Sequence, residues 1–204
     1  MSGLTDKERQ IRIRPDDWVA PIDMQSAFDM SKPLEVDVGC GKGGFLLSRA
    51  SEHPDTNFLG IDRMLRRIRK VENKILRAGL DNVRLFRVDA SYAVGYMIPP
   101  RSVSVYYVFF PDPWPKKRQQ EKRFFNEDFL EDVFRTLKPQ GMIHVATDHL
   151  PYFNEIESLL SSHRGFSRAP TFEPRDHERT EFERHYIQHK PIGRCSFRRQ
   201  VRHS

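Results

Sequence analysis

The stretch Leu34-Glu35-Val36-Asp37-Val38-Gly39-Cys40-Gly41-Lys42-Gly43-Gly44-Phe45 decides the fold. A short apolar run that ends in glycines is typical of a buried strand, followed by a tight turn into a helix. Glycines in such a turn let a ligand approach the backbone closely, which makes Gly39 and Gly41 candidate binding positions. Because Lys42 is followed by Gly43 rather than Ser or Thr, the turn is not a phosphate-binding P-loop.

Strand-like and helix-like segments alternate along the rest of the chain. The predicted strands cover 34–38, 57–61, 83–88, 103–109 and 141–147, and the predicted helices cover 43–52, 63–78, 126–137 and 150–162. Later segments predict a strand over 165–168, a helix over 180–189 and a last strand over 192–197. This alternation predicts an α/β fold with a mostly parallel sheet and helices on both faces. We expect residues 1–17 to form a flexible basic N-terminal arm and residues 18–204 to form a single domain.

Three aspartates mark successive strands. Asp37 lies two residues before the first glycine, whereas Asp62 and Asp89 follow the next two predicted strands. In an open parallel sheet, ligands bind beyond the carboxyl ends of the strands, where these acids converge. Acids there suit S-adenosyl-L-methionine, which carries an ammonium and a sulfonium but no phosphate. Each acid taken alone is more typical of an ordinary helix N-cap or of a turn residue after a strand.

The segment Phe109-Phe110-Pro111-Asp112-Pro113-Trp114-Pro115-Lys116-Lys117-Arg118 carries most of the functional information. The flanking prolines restrict the backbone, so Asp112 is held in one orientation at the end of a strand. A carboxylate accepts N–H groups of a base, an indole stacks on a flat ring, and lysines contact phosphates. The alternative is a stiff proline loop with a solvated basic flank.

The chain resembles the bacterial tRNA (guanine-N7-)-methyltransferases from about Trp18 to about Arg199. The segments that carry the resemblance are Phe110-Pro111-Asp112-Pro113-Trp114-Pro115-Lys116-Lys117, Ala146-Thr147-Asp148 and Thr180-Glu181-Phe182-Glu183. The resemblance implies a Rossmann-like class I S-adenosylmethionine-dependent methyltransferase with a seven-stranded, mostly parallel sheet and a closing antiparallel strand. It also implies methyl transfer to N7 of a guanine in the variable loop of tRNA, at tRNA position 46.

The same resemblance implies roles for particular residues. The implied cofactor-binding residues are Asp37, Gly39, Gly41, Asp62, Asp89 and Asp112, and the implied tRNA-binding residues are Lys116, Asp148, Thr180, Glu181, Phe182 and Glu183. Asp112 is the implied catalytic residue, as a positioning group or as a general base. Asp37 and Asp62 stand where the family usually has Glu, and residues 119–123 stand where it usually has paired histidines.

Composition agrees with a nucleic-acid partner. The 204 residues fit one domain, and the net charge of +6 favours a polyanion such as tRNA. The two cysteines, Cys40 and Cys195, give no disulfide framework, which indicates a reducing compartment. No stretch is apolar enough for a membrane span, so we expect a cytoplasmic protein, as a monomer or homodimer. His185 and His189 lack a third ligand, so no metal site is predicted.

Two basic surfaces lie near the predicted site. Basic residues between Arg63 and Arg77 recur at three- and four-residue steps, as on one helix face, and a solvated face is an equally good interpretation. A second group surrounds the proline loop: Lys116, Lys117, Arg118, Lys122 and Arg123. Its position beside Asp112 favours phosphate contacts for that group.

Three rival functions remain at this point. An NAD-linked oxidoreductase fits the glycine turn, but it gives no role to Asp112 and its prolines. An amino-methyltransferase acting on adenine or cytosine has a similar Asp-Pro-Pro-aromatic motif, although here Trp114 takes the place of the second proline. An RNA-binding protein without catalysis is the third, and the intact set of acids argues against it.

Overall fold

One twisted sheet runs through the molecule in the computed structural model, which describes residues 11–186 and 190–201. The strands are β1 (Arg12–Ile13), β2 (Leu34–Val38), β3 (Asn57–Ile61), β4 (Val83–Phe86), β5 (Val103–Phe109), β6 (Leu137–Thr147), β7 (Phe166–Arg168) and β8 (Gly193–Arg199). Their order is β1-β4-β3-β2-β5-β6-β8-β7. Neighbours from β1 to β6 are parallel, and β8 is antiparallel to both β6 and β7. The predicted closing antiparallel strand is therefore confirmed.

The helices connect these strands. They are α1 (Met24–Ala27), α2 (Gly44–Glu52), α3 (Leu65–Ala78), α4 (Ala90–Tyr92), α5 (Glu127–Thr136), α6 (Leu150–Ser162) and α7 (Glu181–Tyr186). A π-helical turn, Ala93–Met97, continues α4, and a 3-10 helix, Lys117–Lys122, follows the proline loop. These two segments, α1 and α4 were absent from the prediction, since pieces this short carry little periodicity of their own. The end of the helix predicted over 180–189 lies outside the described residues.

Apolar side chains cover both faces of the sheet, as the alternation predicted. On one face, α5 and α6 bury Phe129 and Ile156 in a large cluster with strand residues such as Leu59. On the other face, α2 and α3 pack Leu46 and Ile68 against the strands. Helices on both faces leave the carboxyl edge of the parallel strands as the place for a ligand. No helix among the described residues has both the length and the apolar character needed to cross a bilayer.

The N-terminal segment differs from the prediction. Ile11 is buried, and Arg12–Ile13 pairs with β4, so the sheet has eight strands rather than seven. The Arg12 guanidinium also bonds to the carboxylate of Glu72 on α3. The burial of Ile11 and the ion pair with the buried Glu72 hold residues 11–13 against the sheet. The prediction of a flexible arm over 1–17 is therefore wrong at 11–13. Residues 1–10 lie outside the described residues.

Candidate functional site

The glycine turn after β2 has the positive backbone angles that its glycines adopt readily. Gly39, Gly41 and Gly43 all have positive φ, at 82°, 56° and 77°. The amides of Gly39 and Cys40 both donate to the carbonyl of Ile61 at 2.9 Å, which ties the turn to β3. A Cβ at Gly43 would lie 2.7 Å from Val71, so only glycine lets the turn rest against α3.

A cavity of about 490 Å³ opens at the carboxyl edge of the sheet. Its walls come from the ends of β2, β3, β4 and β5 and from the proline loop, and they include Val38, Gly39, Ile61, Asp62, Arg63, Arg67, Val88, Asp89, Phe109, Phe110, Pro111, Asp112, Trp114, Lys122 and Phe124. The volume lies within the range for small-molecule sites. Four predicted residues, Gly39, Asp62, Asp89 and Asp112, thus meet in one cavity.

Two of the cavity acids also accept backbone amides just after their strands: Asp89 caps α4, and Asp62 forms a turn before α3. Asp62 accepts the amide of Met64 at 2.7 Å and the Arg67 guanidinium at 3.2 Å. Asp89 accepts the amides of Ser91 and Tyr92, at 3.0 and 3.3 Å, through a single oxygen. The alternative of a helix cap or turn residue is therefore correct for both residues, and it does not compete with binding. Caps fix the orientation of the carboxylates, and the second oxygen of Asp89 accepts no hydrogen bond from the described residues.

Asp37 and Gly41 lie behind the cavity wall rather than on it. Asp37 is buried, and burial together with the nearby carboxylates of Asp62 and Glu181 raises its pKa to about 7. Three acids around one buried point repel one another, so a cation in the adjacent cavity would relieve that repulsion. The electrostatics of the glycine turn thus favour a positively charged ligand.

The proline loop brings Asp112 and Trp114 to the other side of the cavity. Phe110 and Trp114 flank it with positive φ, at 53° and 42°, which is unusual for aromatic residues and marks a strained backbone. The Asp112 side chain is exposed, and no group in the described chain donates a hydrogen bond to it. Lys122 lies over the Trp114 indole, 5.2 Å from the ring centroid. A free carboxylate and an aromatic ring therefore face the same space.

One arginine anchors this loop. Arg123 is buried, its Nε donates to the Pro113 carbonyl at 2.7 Å, and its guanidinium pairs with Glu155 at 2.5 Å. The same guanidinium lies over the Tyr152 ring, 4.6 Å from the centroid. The prediction that Arg123 belongs to a phosphate-binding surface is therefore wrong, because its charge is used inside the protein. No local pattern reveals this role, since Glu155 and Tyr152 are distant in sequence.

The predicted tRNA-binding segment forms α7, which covers the glycine turn. Glu181 accepts the Gly44 amide at 3.2 Å and Lys74 Nζ at 3.1 Å. Burial alone would raise the pKa of Glu181, but the Lys74 ammonium and the backbone donors lower it overall. Phe182 is partly exposed and contacts the Phe110 ring, with centroids 5.2 Å apart.

The other predicted tRNA-binding residues make internal contacts or face solvent. The Thr180 hydroxyl accepts the amide of Glu183 at 3.0 Å, and the buried Glu183 carboxylate pairs with Arg194. Lys116 is exposed on the loop, and Asp148 is half-buried directly after β6. None of the six predicted tRNA-binding residues lines the cavity.

A second cluster of acids is already neutralised. Ligand atoms of Glu52, His53 and Glu178 lie within 4.8 Å of one another, a spacing that a metal ion could use. Arg175 pairs with both carboxylates, and Arg49 pairs with Glu178 at 3.2 Å. Arginines thus supply the positive charge at this cluster.

Comparison with known proteins places the chain in a family. Residues 31–191 match a family model described as "Putative methyltransferase". A tRNA (guanine-N(7)-)-methyltransferase of Syntrophotalea carbinolica is 33% identical over 159 residues, which cover 78% of this chain and 68% of that protein. One of Pseudomonas putida is 35% identical over 170 residues, covering 81% and 71%. The chain belongs to the tRNA (guanine-N7-)-methyltransferase family.

Solved structures support the fold of this family member. The 16S rRNA methyltransferase KamB has a TM-score of 0.62 at 15% identity, covering 87% of this chain and 91% of KamB. An rRNA methylase from Streptococcus thermophilus has a TM-score of 0.56 at 13% identity, covering 83% and 88%. The prediction of a Rossmann-like methyltransferase fold is confirmed, as is the resemblance to the guanine-N7 family.

Proposed function

We propose that this protein transfers a methyl group from S-adenosyl-L-methionine to N7 of a guanine in tRNA. The observation that carries the proposal is one cavity that joins the acids after β3 and β4 to the Asp112–Trp114 loop after β5. Membership of the tRNA (guanine-N7-)-methyltransferase family supports the reaction and the substrate class. We further propose that the target guanine lies in the tRNA variable loop.

The donor set of the cavity fits this cofactor. A Cβ built at Gly39 meets no atom within 4 Å, so the glycine leaves open space beside the wall. Asp62 and Asp89 would hold the ribose hydroxyls and the adenine amino group, and Asp37 would face the ammonium. The similarly folded protein SMU.1697c of Streptococcus mutans, at TM-score 0.55 and 10% identity, covering 82% of this chain and 89% of its own, was solved in complex with SAH. When bound, the cofactor supplies an electrophilic methyl group on a sulfonium.

Guanine N7 determines what the protein must provide. N7 carries an in-plane lone pair and no proton, so no base has to remove a proton before the methyl group is transferred. The protein must align the ring and stabilise the positive charge that the guanine acquires. The free carboxylate of Asp112 accepts guanine N–H groups and offsets that charge, while Trp114 stacks against the ring. We therefore assign Asp112 as a positioning and electrostatic group rather than a general base.

The tRNA contacts are proposed for the exposed rim of the site. Lys116 lies on the exposed part of the proline loop, where it would meet phosphates next to the guanine. Phe182 is an exposed residue of α7 and offers a ring beside Phe110. Because Thr180 and Glu183 are used in a cap and a buried ion pair, we propose that they act by fixing α7. Asp148, after β6, remains a proposed contact.

The experiment is methylation of tRNA by the purified protein with labelled S-adenosyl-L-methionine, followed by mapping of N7-methylguanine. We expect one methylated guanine in the variable loop, and a transcript with adenine at that position should accept no label. Label on an exocyclic amino group, or on no RNA at all, would contradict the proposal. Label at N7 of a guanine elsewhere in tRNA would leave the reaction intact and overturn the variable-loop assignment.

A further inference from the structure

Helix α3 has an outer face of one charge sign. Arg66, Arg69, Lys70 and Arg77 are all exposed, and none of these four forms an ion pair within the described chain. The only acid of the helix, Glu72, is buried and neutralised by Arg12. Ordinary solvated surfaces intersperse both signs of charge, and this face does not.

The concentration of cations on the outer face of α3 does not stabilise the helix. Arg66 and Arg67 lie in the first turn, where cations oppose the helix dipole, and that turn contains no acid and no side-chain cap. Several arginines elsewhere serve inside the protein, such as Arg49, Arg123 and Arg194, which are paired with carboxylates. Arg67 is paired with Asp62, whereas Arg66 is an unpaired cation that opposes the helix dipole, a local cost that proteins accept at functional surfaces.

The face begins at the cavity. Arg63 and Arg67, at the start of α3, line the cavity wall. The 14 residues of the helix then extend about 21 Å away from it, at 1.5 Å per residue. The loop with Lys116 and Lys122 lies across the same cavity, because Asp112 and Lys122 form its opposite wall. The cavity mouth is therefore flanked by cations on two sides.

We propose that the outer face of α3 binds the phosphate backbone of the tRNA beyond the target guanine. This inference rests on the proposed function. An RNA strand that delivers a guanine to Asp112 has to continue beyond the cavity mouth. The exposed cations of α3 form a row along one path that the strand can take, and cations of this kind bind phosphates. The face presents no large apolar side chain beyond the exposed Met64 at its start, so it lacks the apolar area with which membrane-surface helices insert.

The test compares two triple variants that remove the same charge. Arg66→Gln/Lys70→Gln/Arg77→Gln changes the outer face of α3. Arg101→Gln/Lys138→Gln/Arg164→Gln changes three cations at the amino ends of β5, β6 and β7, the sheet edge opposite the cavity, and these form no ion pair in the described chain. For both variants, tRNA affinity is measured as a function of salt, together with S-adenosylhomocysteine affinity and the transfer rate at saturating tRNA.

We expect the α3 variant to lose about tenfold or more in tRNA affinity at low salt, with a salt slope lower by about two to three. Its cofactor affinity and its saturated transfer rate should stay within about twofold of wild type, and the control variant should bind tRNA almost normally.

Equal tRNA affinity and salt slope for the two variants would overturn the inference while leaving methylation intact. Wild-type protein that methylates no tRNA would instead refute the proposed function. Selective loss of binding to phosphatidylserine vesicles, with normal tRNA binding, would assign the face to a membrane and overturn the inference.

Discussion

The carboxyl edge of the sheet has two halves that are built in different ways. At the ends of β2, β3 and β4, the turn and the acids are fixed by local rules: glycines with positive φ and aspartates that accept backbone amides two or three residues further on. At the end of β5, the Asp112 loop is held from a distance by Arg123, which joins the Pro113 carbonyl to Glu155. The local conformation of the first half follows from its own sequence, whereas that of the second depends on a distant arginine and its partner.

This difference suits a division of labour. The locally fixed half is proposed to hold the same cofactor in every cycle, and a pre-formed acid set costs no reorganisation on binding. The half that contains the proline loop must receive a base that arrives as part of a large RNA. Phe110 and Trp114 have strained backbone angles there, and this backbone conformation presents Asp112 to the cavity. Variants in the first half should therefore change cofactor binding, and variants in the second should change transfer or RNA binding.

The largest effect is expected at Asp112. Asp112→Asn keeps the size of the side chain, removes its charge and turns one acceptor into a donor. Methyl transfer should slow by ~10²–10³-fold, the usual scale for one preorganised electrostatic group. The rate is measured in a single turnover with saturating tRNA and cofactor. A rate within twofold of wild type would mean that Asp112 only shapes the loop.

Loss of Asp62 should be the next largest effect, and it should appear in cofactor binding. Asp62→Ala removes charge-assisted acceptors and should weaken S-adenosyl-L-methionine binding by ~1–3 kcal/mol, or about 5- to 150-fold. Calorimetric titration measures this affinity directly. Since Asp62 also accepts the Met64 amide and pairs with Arg67, thermal unfolding without ligand serves as the control. Unchanged affinity in a folded variant would exclude Asp62 from the cofactor site.

Asp37 should make cofactor binding depend on pH. Its pKa of about 7 means that the carboxylate must lose a proton before it can pair with an ammonium. Affinity should therefore fall by about tenfold per pH unit below about 7 and level off above it, and Asp37→Asn should flatten the profile. Because this pKa lies above that of an exposed aspartate, the contribution of Asp37 to folding is greatest at low pH and is lost as pH rises through about 7. A wild-type affinity that is constant from pH 5.5 to 8.5 would contradict the assignment.

The smallest effect is expected at the loop anchor. Arg123→Met keeps the apolar stem, loses the bond to the Pro113 carbonyl and leaves Glu155 unpaired. We expect ~1–3 kcal/mol of lost stability and a several-fold drop in kcat/KM for tRNA, with unchanged cofactor affinity. Glu155→Gln is the matched control, since half of that side chain is exposed and the Pro113 contact survives. Equal effects of the two substitutions would show that the anchor does not act through the loop backbone.

The same contrast explains what the sequence could predict. The strands at 34–38, 57–61 and 103–109 and the glycine turn follow from local periodicity and backbone restriction, so their bounds agree with the structure. The pairing of Arg12–Ile13 with β4 and the burial of Arg123 depend on partners far along the chain. No local pattern separates an arginine that binds phosphate from one that binds a distant carboxylate.

The position of α7 was also beyond the sequence. The motif from Thr180 to Glu183 was identified, yet its side chains cap the helix, hold the glycine turn or pair with Arg194 instead of lining the cavity. Only the fold shows that Glu181 reaches Gly44, across 137 residues. The sequence therefore identified the segments that matter, and the tertiary contacts decided which of their atoms are free to bind.

The single-turnover rate of methyl transfer at saturating tRNA and cofactor, compared between Asp112→Asn and Asp62→Ala, tests the division of labour most directly. At saturation the cofactor-binding defect of Asp62→Ala is compensated by mass action, so its rate should approach that of wild type. Asp112→Asn should remain ~10²–10³-fold slower, because its defect lies in the transfer step itself. Equal saturated rates for the two variants would contradict the account.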